Sequence, residues 1–281
     1  MGIKVTKMQG CGNDFVIIDY DEFIKLNMKI TDAAKMLCDR HFGIGADGLI
    51  IPNTSCDEAD IGWFFYNSDG STAQMCGNGM RCFAKYAYDN KLVDKKIFSV
   101  KTLAGIIKPE ILADGLVRVN MSQPILEPEK IPFLPHRNLN YKMSVKNMIF
   151  DGNAISMGNP HFVIFVSPED DVMEFAKEYG PIIETSAEFP EKTNVEFVKI
   201  KSYRKIELAV WERGCGITLA CGTGACASVV AGILNGYIEN SVEVQLPGGV
   251  VNVLWNGTSE EPAGDIFLSG PAEYVFNAEL A

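Results

Sequence analysis

Apolar and β-branched residues in the first part of the chain occur in short, often alternating runs bounded by turn signals such as "GCGND" and "SDGS". This pattern is typical of β-strands. The predicted strands are Ile3 to Met8, Phe15 to Asp19, Leu49 to Ile51, Ile61 to Asn67, Ile97 to Thr102 and Leu116 to Met121.

Two segments between these strands repeat their apolar residues at helical spacing instead. In "TDAAKMLCDRHFG", Thr31 is the predicted N-cap and Gly43 the predicted stop of a short helix. A second helix is predicted from Asn78 to Asn90.

Four prolines fall within the fourteen residues from Ser122 to Pro135, a composition that neither a helix nor a central strand tolerates. We therefore predict a linker there, between a first domain of residues 1–121 plus 270–281 and a second domain of residues 122–269. The tail joins the first domain because "SGPAEYVFNA" is a predicted strand, and terminal strands are often tied into a sheet. The second domain has predicted strands at His161 to Val166, Val195 to Ile200 and Ile206 to Trp211, two more ending near Trp255, and helices at Asp170 to Tyr179 and Thr223 to Leu234.

The two halves of the sequence repeat in one register. Matching segments are displaced by 145 or 146 residues, and they are "GNDFVII" at Gly12 with "GNPHFVIF" at Gly158, Asn67 with Glu212, and Cys76 with Cys221. Three ordered matches at one displacement indicate a duplicated unit. The sequence therefore predicts two α/β domains of one topology, related by a pseudo-twofold axis.

Composition narrows the class of protein. The chain has 281 residues, 47% of them hydrophobic, and a formal net charge of −11 without any basic cluster. An ordinary globular protein with a small polar substrate fits these values, and a nucleic-acid partner does not. Because the N-terminus has no secretory signal pattern and no apolar run reaches membrane-spanning length, we expect a cytoplasmic protein without membrane association.

Cysteine usage predicts free thiols. The eight cysteines lie in a long chain that has no Cys-X-X-Cys motif and only three histidines. Neither a disulfide framework nor a metal site is therefore expected.

Cys76 and Cys221 each precede Gly-X-Gly at the start of a predicted helix. The unpaired N–H groups and the positive dipole end of a helix start attract anions and stabilise a thiolate. The flanking glycines leave the backbone bare, so a ligand carboxylate can approach it closely. The N–H groups expected to hold that carboxylate belong to Gly77, Asn78, Gly222 and Thr223.

Two such helix starts, facing each other under the pseudo-twofold axis, predict a specific reaction. One thiolate would remove the α-proton of a bound amino acid while the opposite thiol protonates the other face, which inverts the stereocentre without a cofactor. A helix start can lower the thiol pKa to roughly 3.5–7.5, so a thiolate is expected at neutral pH.

At these residues the sequence resembles the diaminopimelate epimerase family. The resemblance spans nearly the whole chain and is carried by "GNDFVIID", "RHFGIGADGL", "FYNSDGSTAQMCGNGMRCFAKY", "SMGNPHFV", "TNVEFV" and "ERGCGITLACGTGACA". It implies two domains, each a curled, mostly antiparallel sheet around a central helix, in a homodimer that needs no cofactor. The implied activity is interconversion of LL- and meso-2,6-diaminopimelate in lysine and peptidoglycan precursor biosynthesis.

The resemblance also assigns site residues. It makes Cys76 and Cys221 the acid/base pair and implies substrate contacts at Asn13, Asn67, Asn159, Asn194, Glu212 and Arg213, together with the two glycine turns. Arg213 suits a distal carboxylate and Glu212 an ammonium, although an adjacent Glu-Arg also occurs as a solvated pair. His161 is a candidate auxiliary residue, with a structural histidine as the alternative.

Three other functions remain open at this stage. A proline or hydroxyproline racemase would share the two cysteines but lack a set of residues for a second amino-acid end. "GTGACA" from Gly222 also fits the fingerprint of a dinucleotide-dependent oxidoreductase, although no strand directly precedes it. A non-catalytic redox sensor would close Cys76 and Cys221 as a disulfide.

Overall fold

A computed structural model describes residues 2–280 of the chain, and these divide into two compact units. Residues 2–120 with 269–280 form the first unit, and residues 121–268 form the second. The strands of the first unit are β1 (Ile3–Gly10), β2 (Asn13–Ile17), β3 (Gly48–Asn53), β4 (Ile61–Asn67), β5 (Val100–Thr102), β6 (Gly105–Ile107), β7 (Glu110–Ile111), β8 (Val117–Asn120) and β18 (Glu273–Leu280). Its helices are α1 (Tyr20–Phe23), α2 (Ile30–Cys38) and α3 (Gly77–Asp89), with a 3₁₀ turn at Ile24–Leu26.

The second unit begins with a 3₁₀ turn at Pro128–Lys130. Its strands are β9 (Tyr141–Val145), β10 (Met148–Ser156), β11 (Pro160–Phe165), β12 (Asn194–Ser202), β13 (Lys205–Glu212), β14 (Gly216–Ile217), β15 (Ser241–Leu246), β16 (Gly249–Trp255) and β17 (Ile266–Gly270), the last of which runs on past its boundary. Its helices are α4 (Val172–Glu184) and α5 (Gly222–Leu234).

The first unit is built on a seven-stranded sheet with the order β18-β1-β2-β3-β4-β5-β6. Helix α2 packs on this sheet through Ala33, Ala34 and Leu37, which join Val16 and Leu49 in an apolar core. Helix α3 packs against β1, β2, β3 and β8, and most of its residues are buried. It is the central helix of this unit.

The second unit repeats this arrangement. Its sheet runs β9-β10-β11-β12-β13-β15-β16-β17, with β14 paired to β13. Helix α4 contributes Val172, Ala176 and Ile183 to an apolar core. Helix α5 contacts β10, β11, β12 and β16 and is apolar on nearly all sides, as befits a helix enclosed by strands.

The strand pairings confirm the predicted common topology. In the first unit β2 pairs parallel with β3 around α2, β3 antiparallel with β4, and β4 parallel with β5 around α3. In the second unit β11 pairs parallel with β12 around α4, β12 antiparallel with β13, and β13 parallel with β15 around α5. Helices α3 and α5, which begin directly after Cys76 and Cys221, therefore occupy equivalent places.

Both predicted boundaries of helix α2 are wrong. Helix α2 begins at Ile30 with Lys29 as its N-cap, so Thr31 lies inside the helix. The helix ends at Cys38, well before Gly43, because Asp39 is extended and its carboxylate accepts from the N–H groups of His41 and Phe42. The helix is therefore ended by a turn that the Asp39 side chain stabilises, and not by Gly43.

Among residues 2–280, none of the helices has both the length and the apolar character that crossing a membrane requires.

Candidate functional site

Cys76 is the N-cap of helix α3. Its backbone is extended, and its sulfur accepts a hydrogen bond from the Gly79 N–H at 3.5 Å. Gly77 and Asn78 are the first two residues of the helix, positions whose N–H groups no carbonyl of the same helix can reach. The sulfur and these N–H groups therefore lie together at the positive end of the helix dipole.

The side-chain amides of Asn13 and Asn78 form a hydrogen-bonded series next to Cys76, which we call the amide chain. The thiol donates to Asn13 Oδ1 at 3.5 Å, and Asn78 Nδ2 donates to the same oxygen at 3.1 Å. Asn13 Nδ2 in turn donates to Asp47 Oδ2 at 2.5 Å, and Arg81 Nη1 donates to Asn78 Oδ1 at 2.9 Å. The structure thus brings the predicted residues Asn13, Asn78 and Cys76 together.

Asn67 has a different set of contacts. It ends β4, and its Nδ2 donates to Ser71 Oγ at 2.9 Å while its backbone N–H donates to the Ser71 carbonyl. These contacts hold the turn that leads toward α3. The structure places Asn67 in that turn, and its predicted substrate contact remains a proposal.

Cys221 is the N-cap of helix α5, in the place equivalent to Cys76. Its sulfur accepts from the Gly224 N–H at 3.3 Å and lies 3.5 Å from Thr223 Oγ1. Gly222 and Thr223 are the first two residues of this helix. The side chain is buried, with only 7% of the residue exposed.

The surroundings of Cys221 oppose the lowering of the thiol pKa that a helix start gives. Burial raises the pKa of this thiol well above its usual range, and the nearby carboxylates of Glu212 and Glu196 raise it further. The hydrogen bonds from Thr223 and the Gly224 N–H lower the pKa but do not outweigh burial. Cys221 therefore rests as a thiol.

His161 lies in a buried relay in the second unit. Its Nδ1 is 2.7 Å from Glu196 Oε1, its Nε2 is 3.0 Å from Asn159 Oδ1, and Asn159 Nδ2 donates to Thr223 Oγ1 at 3.4 Å. Both His161 and Glu196 are fully buried. The relay connects the predicted residues Asn159 and His161 to the first turn of α5.

Glu212 lies at the end of β13, close to Cys221. Its carboxylate accepts from Thr218 Oγ1 at 2.8 Å. Burial raises the pKa of Glu212, and hydrogen bonds from Thr218 and Cys221 only partly offset that effect. Glu212 and Cys221 therefore share one poorly solvated environment.

The turn after β13 is held from two sides. Asn194 Oδ1 accepts from the Arg213 N–H at 2.9 Å, and Glu184 Oε1 accepts from the Gly214 N–H at 2.9 Å. Arg213 Nη1 donates to the Glu191 carbonyl at 3.1 Å, and the residue is exposed. The fixed turn leaves the Arg213 guanidinium at the surface of the second unit.

Sequence reasoning missed several residues that fix this site. They are Asp47, Arg81, Glu184, Glu196 and Thr218. Arg81 and Glu196 carry a usable signal, because each is a charged residue with apolar neighbours on both sides in the sequence. Within residues 2–280, no group of three His, Cys, Asp or Glu side chains is placed to hold a metal ion.

Gly224 and Gly79 occupy equivalent helix positions but differ in surroundings. A Cβ on Gly224 would lie 2.7 Å from Glu196 Oε1 and 3.2 Å from Cys221 Sγ, whereas a Cβ on Gly79 would meet nothing closer than 3.4 Å. We expect Gly224→Ala to lower the free energy of unfolding by roughly 1–3 kcal/mol through overpacking. Gly79→Ala should be neutral or stabilising by up to about 1 kcal/mol. Denaturant unfolding measures both, and equal losses would contradict this difference.

Comparison with known proteins identifies the relatives of the chain. The family model described as diaminopimelate epimerase matches residues 5–127 and 153–275. A diaminopimelate epimerase from Carboxydothermus hydrogenoformans is 49% identical over 281 residues and covers 99% of each chain. One from Halothermothrix orenii is 45% identical over 290 residues, covering 100% of this chain and 98% of its own.

Solved structures share the fold at low sequence identity. A phenazine biosynthesis protein of the PhzF family from Bacillus anthracis has a TM-score of 0.68 at 15% identity and covers 100% of this chain and 99% of its own. A hydroxyproline epimerase from Agrobacterium vitis, solved with bound trans-4-hydroxy-L-proline, has a TM-score of 0.67 at 12% identity, with coverages of 99% and 92%. At such identities the likeness establishes the two-domain fold alone.

Proposed function

Because the chain belongs to the diaminopimelate epimerase family, we propose that it interconverts LL- and meso-2,6-diaminopimelate, a step that serves lysine and peptidoglycan precursor synthesis. The protein is then a cofactor-independent isomerase of the amino-acid epimerase class. The observation that carries this proposal is the pair of cysteine N-caps, Cys76 on α3 and Cys221 on α5, at equivalent places in two units of one topology.

The reaction needs only these two sulfurs and the helix starts. The substrate α-carboxylate accepts hydrogen bonds from the N–H groups of Gly77, Asn78, Gly222 and Thr223. One thiolate takes the α-proton, so the C–H bond breaks and an S–H bond forms. The other thiol gives its proton to the opposite face of the same carbon, so an S–H bond breaks and a C–H bond forms. The N–H groups stabilise the charge that develops on the carboxylate.

The electrostatics of the second unit support Cys221 as the thiol that donates the first proton. Since burial and two carboxylates raise the pKa of Cys221, it enters the reaction as the proton donor in the direction where Cys76 is the base. In the reverse direction Cys221 is the base and Cys76 is the proton donor. The enzyme carries one proton on the two sulfurs in either direction, so we expect both rates to rise together with pH as the first thiol loses its proton.

The other site residues recognise the two amino-acid ends of the substrate. Arg213 binds the distal carboxylate, and Glu212 meets an ammonium. The amides that complete the site are Asn13, Asn67, Asn159 and Asn194. His161 acts as an auxiliary residue by holding the Asn159 amide through its Nε2 contact.

Two further properties belong to this proposal. A homodimer is supported by three consecutive exposed apolar residues, Tyr274, Val275 and Phe276, on the edge strand β18. A cytoplasmic location is supported by the sequence, in which eight cysteines occur in a long chain rather than in the short, cysteine-dense pattern of a secreted disulfide scaffold.

The direct test is turnover under reducing conditions. We expect LL-diaminopimelate to be converted to the meso form and L-proline to remain unchanged, because proline has no second amino-acid end for Arg213. Racemisation of proline with no reaction of diaminopimelate would favour the proline racemase alternative instead.

Removing the Glu212 carboxylate should make the Cys221 thiolate easier to form. The carboxylate disfavours a nearby negative charge, so Glu212→Gln is expected to lower the pKa of Cys221 and shift its titration to lower pH. The measurement is the thiolate absorbance that is lost on adding Cys221→Ala. Glu207→Gln on the same strand, where Glu207 pairs with Lys201 at 2.7 Å, is the control. An unchanged titration in Glu212→Gln would argue against this coupling.

A further inference from the structure

We propose that Arg81 and Asp47 are positioning residues that together fix the Asn78 and Asn13 side-chain amides, so that a carbonyl oxygen faces the Cys76 sulfur. The inference deepens the proposed function, because it rests on Cys76 being one of the two reacting groups. All of the residues involved belong to the first unit.

Arg81 fixes one end of the amide chain. It is fully buried, and its guanidinium donates from Nη1 to Asn78 Oδ1 at 2.9 Å, from Nε to the Pro271 carbonyl at 3.1 Å and from Nη2 to Cys11 Sγ at 3.8 Å. A guanidinium has donors and no acceptor. The atom of Asn78 that faces Arg81 must therefore be the oxygen, which turns Nδ2 toward Asn13.

Asp47 fixes the other end. Its Oδ2 accepts from Asn13 Nδ2 at 2.5 Å and from the Asp14 N–H at 3.1 Å, and its Oδ1 accepts from Arg40 Nη2 at 2.7 Å. An ionised carboxylate only accepts, so the atom of Asn13 that faces Asp47 must be the nitrogen. The two ends give the same result, since Asn13 Oδ1 is left to accept from Asn78 at 3.1 Å.

Because Asn13 Oδ1 is held facing Cys76, it can form a hydrogen bond with only one of the two protonation states of the sulfur. Asn13 Oδ1 lies 3.5 Å from the sulfur and can accept from the thiol, whereas a thiolate would face an oxygen lone pair. Neither amide can turn to donate to the sulfur while both ends are held. The fixed Asn13 oxygen therefore opposes a thiolate at Cys76, whereas the Gly79 N–H, which donates to the sulfur at 3.5 Å, favours one.

Charge and orientation can be separated with a double-mutant cycle. The amide chain has a charged group at each end, Arg81 on α3 and Asp47 before β3. Behind Asp47 lies a cluster of three further charged residues, Arg40, Asp14 and Lys7. Arg81→Met removes a cation and should shift thiolate formation at Cys76 to higher pH, while Asp47→Ala removes an anion and should shift it to lower pH. Charge alone predicts that these two opposite shifts add in R81M/D47A.

If Arg81 and Asp47 hold the two amides in place, the double variant should behave differently from the sum of the single variants. With Arg81 and Asp47 both replaced, Asn13 can turn and donate to the thiolate, and such charge-assisted hydrogen bonds are strong. We expect Cys76 in R81M/D47A to be alkylated by iodoacetamide at least about tenfold faster at neutral pH than the sum of the single effects gives. Mass spectrometry of the peptide that contains Cys76 measures this rate without any need for turnover, so failure of the epimerase assay would not affect the result.

Two further variants keep the test decisive. R81K/D47A retains a donor-only cation at one end and should lack the extra acceleration. R81Q/D47A releases the same end with a polar side chain and replaces R81M/D47A if that variant does not fold, as judged by circular dichroism. Additive single effects in a folded double variant would overturn the proposal, as would equal acceleration in R81K/D47A.

Discussion

Cys76→Ala and Cys221→Ala should each abolish epimerisation of diaminopimelate. Inversion needs a proton removed from one face and another delivered to the opposite face, so the loss of either thiol stops turnover in both directions. General acid–base groups contribute roughly 10²- to 10⁴-fold each, and we expect losses of at least that order. The measurement is the rate of interconversion of the LL and meso forms under reductant, with each variant checked for folding by circular dichroism.

Other cysteines on the same helices provide matched controls. Cys82 on α3 and Cys226 on α5 are buried away from the helix starts, and burial raises the pKa of Cys82 to about 12. Cys82→Ala and Cys226→Ala should retain activity per folded molecule. Near-normal turnover by Cys76→Ala or Cys221→Ala would contradict the assignment of the two reacting groups.

Arg213→Met should lower kcat/KM for diaminopimelate by about 10- to 100-fold, since hydrogen bonds to charged groups contribute roughly 1.5–3 kcal/mol. The turn that carries Arg213 is fixed by Asn194 and Glu184, so the guanidinium is presented on a rigid support. Arg213→Lys should recover only part of the loss, because an ammonium cannot bind a carboxylate as a planar fork. Steady-state kinetics of the three proteins provide the measurement.

The matched control for Arg213 is Arg204, in the turn between β12 and β13. Arg204 is exposed and pairs with Glu239 at 2.6 Å. Arg204→Met removes the same charge from the same unit and should leave kcat/KM unchanged. Equal losses in Arg204→Met and Arg213→Met would show a general charge effect and would remove the support for a distal carboxylate contact.

Much of the fold follows from local sequence patterns. The strand predicted from Ile61 to Asn67 matches β4, and the helices predicted at Asn78 to Asn90 and Thr223 to Leu234 match α3 and α5 to within one residue. These segments combine a clear period with glycine-rich starts. The repeated register adds the common topology, which no single segment carries.

Other elements have weaker local signals. The hairpin β9–β10 is not predicted, because β9 has only five residues and the exposed Met148 and Ile149 beside buried Phe150 obscure the alternation of β10. Helix α4 extends beyond the predicted end at Tyr179 and includes Pro181, although proline usually interrupts a helix. Packing of Ile183 into the core of the second unit offsets that local preference.

The functional site, like the fold, has some parts that the sequence predicts and others that it does not. The two cysteines and their glycine turns could be found from sequence, because motif and repeat agree. The charges that raise the pKa of Cys221 are not recognised from sequence, where Glu212 is named only as a partner for an ammonium. Glu212 and Glu196 reach Cys221 only through the pairing of β12 with β13 and the position of α5. A helix start considered alone therefore does not show which of the two sulfurs is the thiol.

Incorporation of solvent deuterium tests whether inversion proceeds by proton exchange through two thiols. When LL-diaminopimelate is turned over by the reduced protein in D₂O, we expect every molecule inverted to the meso form to carry deuterium at the inverted α-carbon. Mass spectrometry and proton NMR follow this exchange from the first turnovers. Inversion that retains the original hydrogen would contradict proton exchange through two opposed thiols.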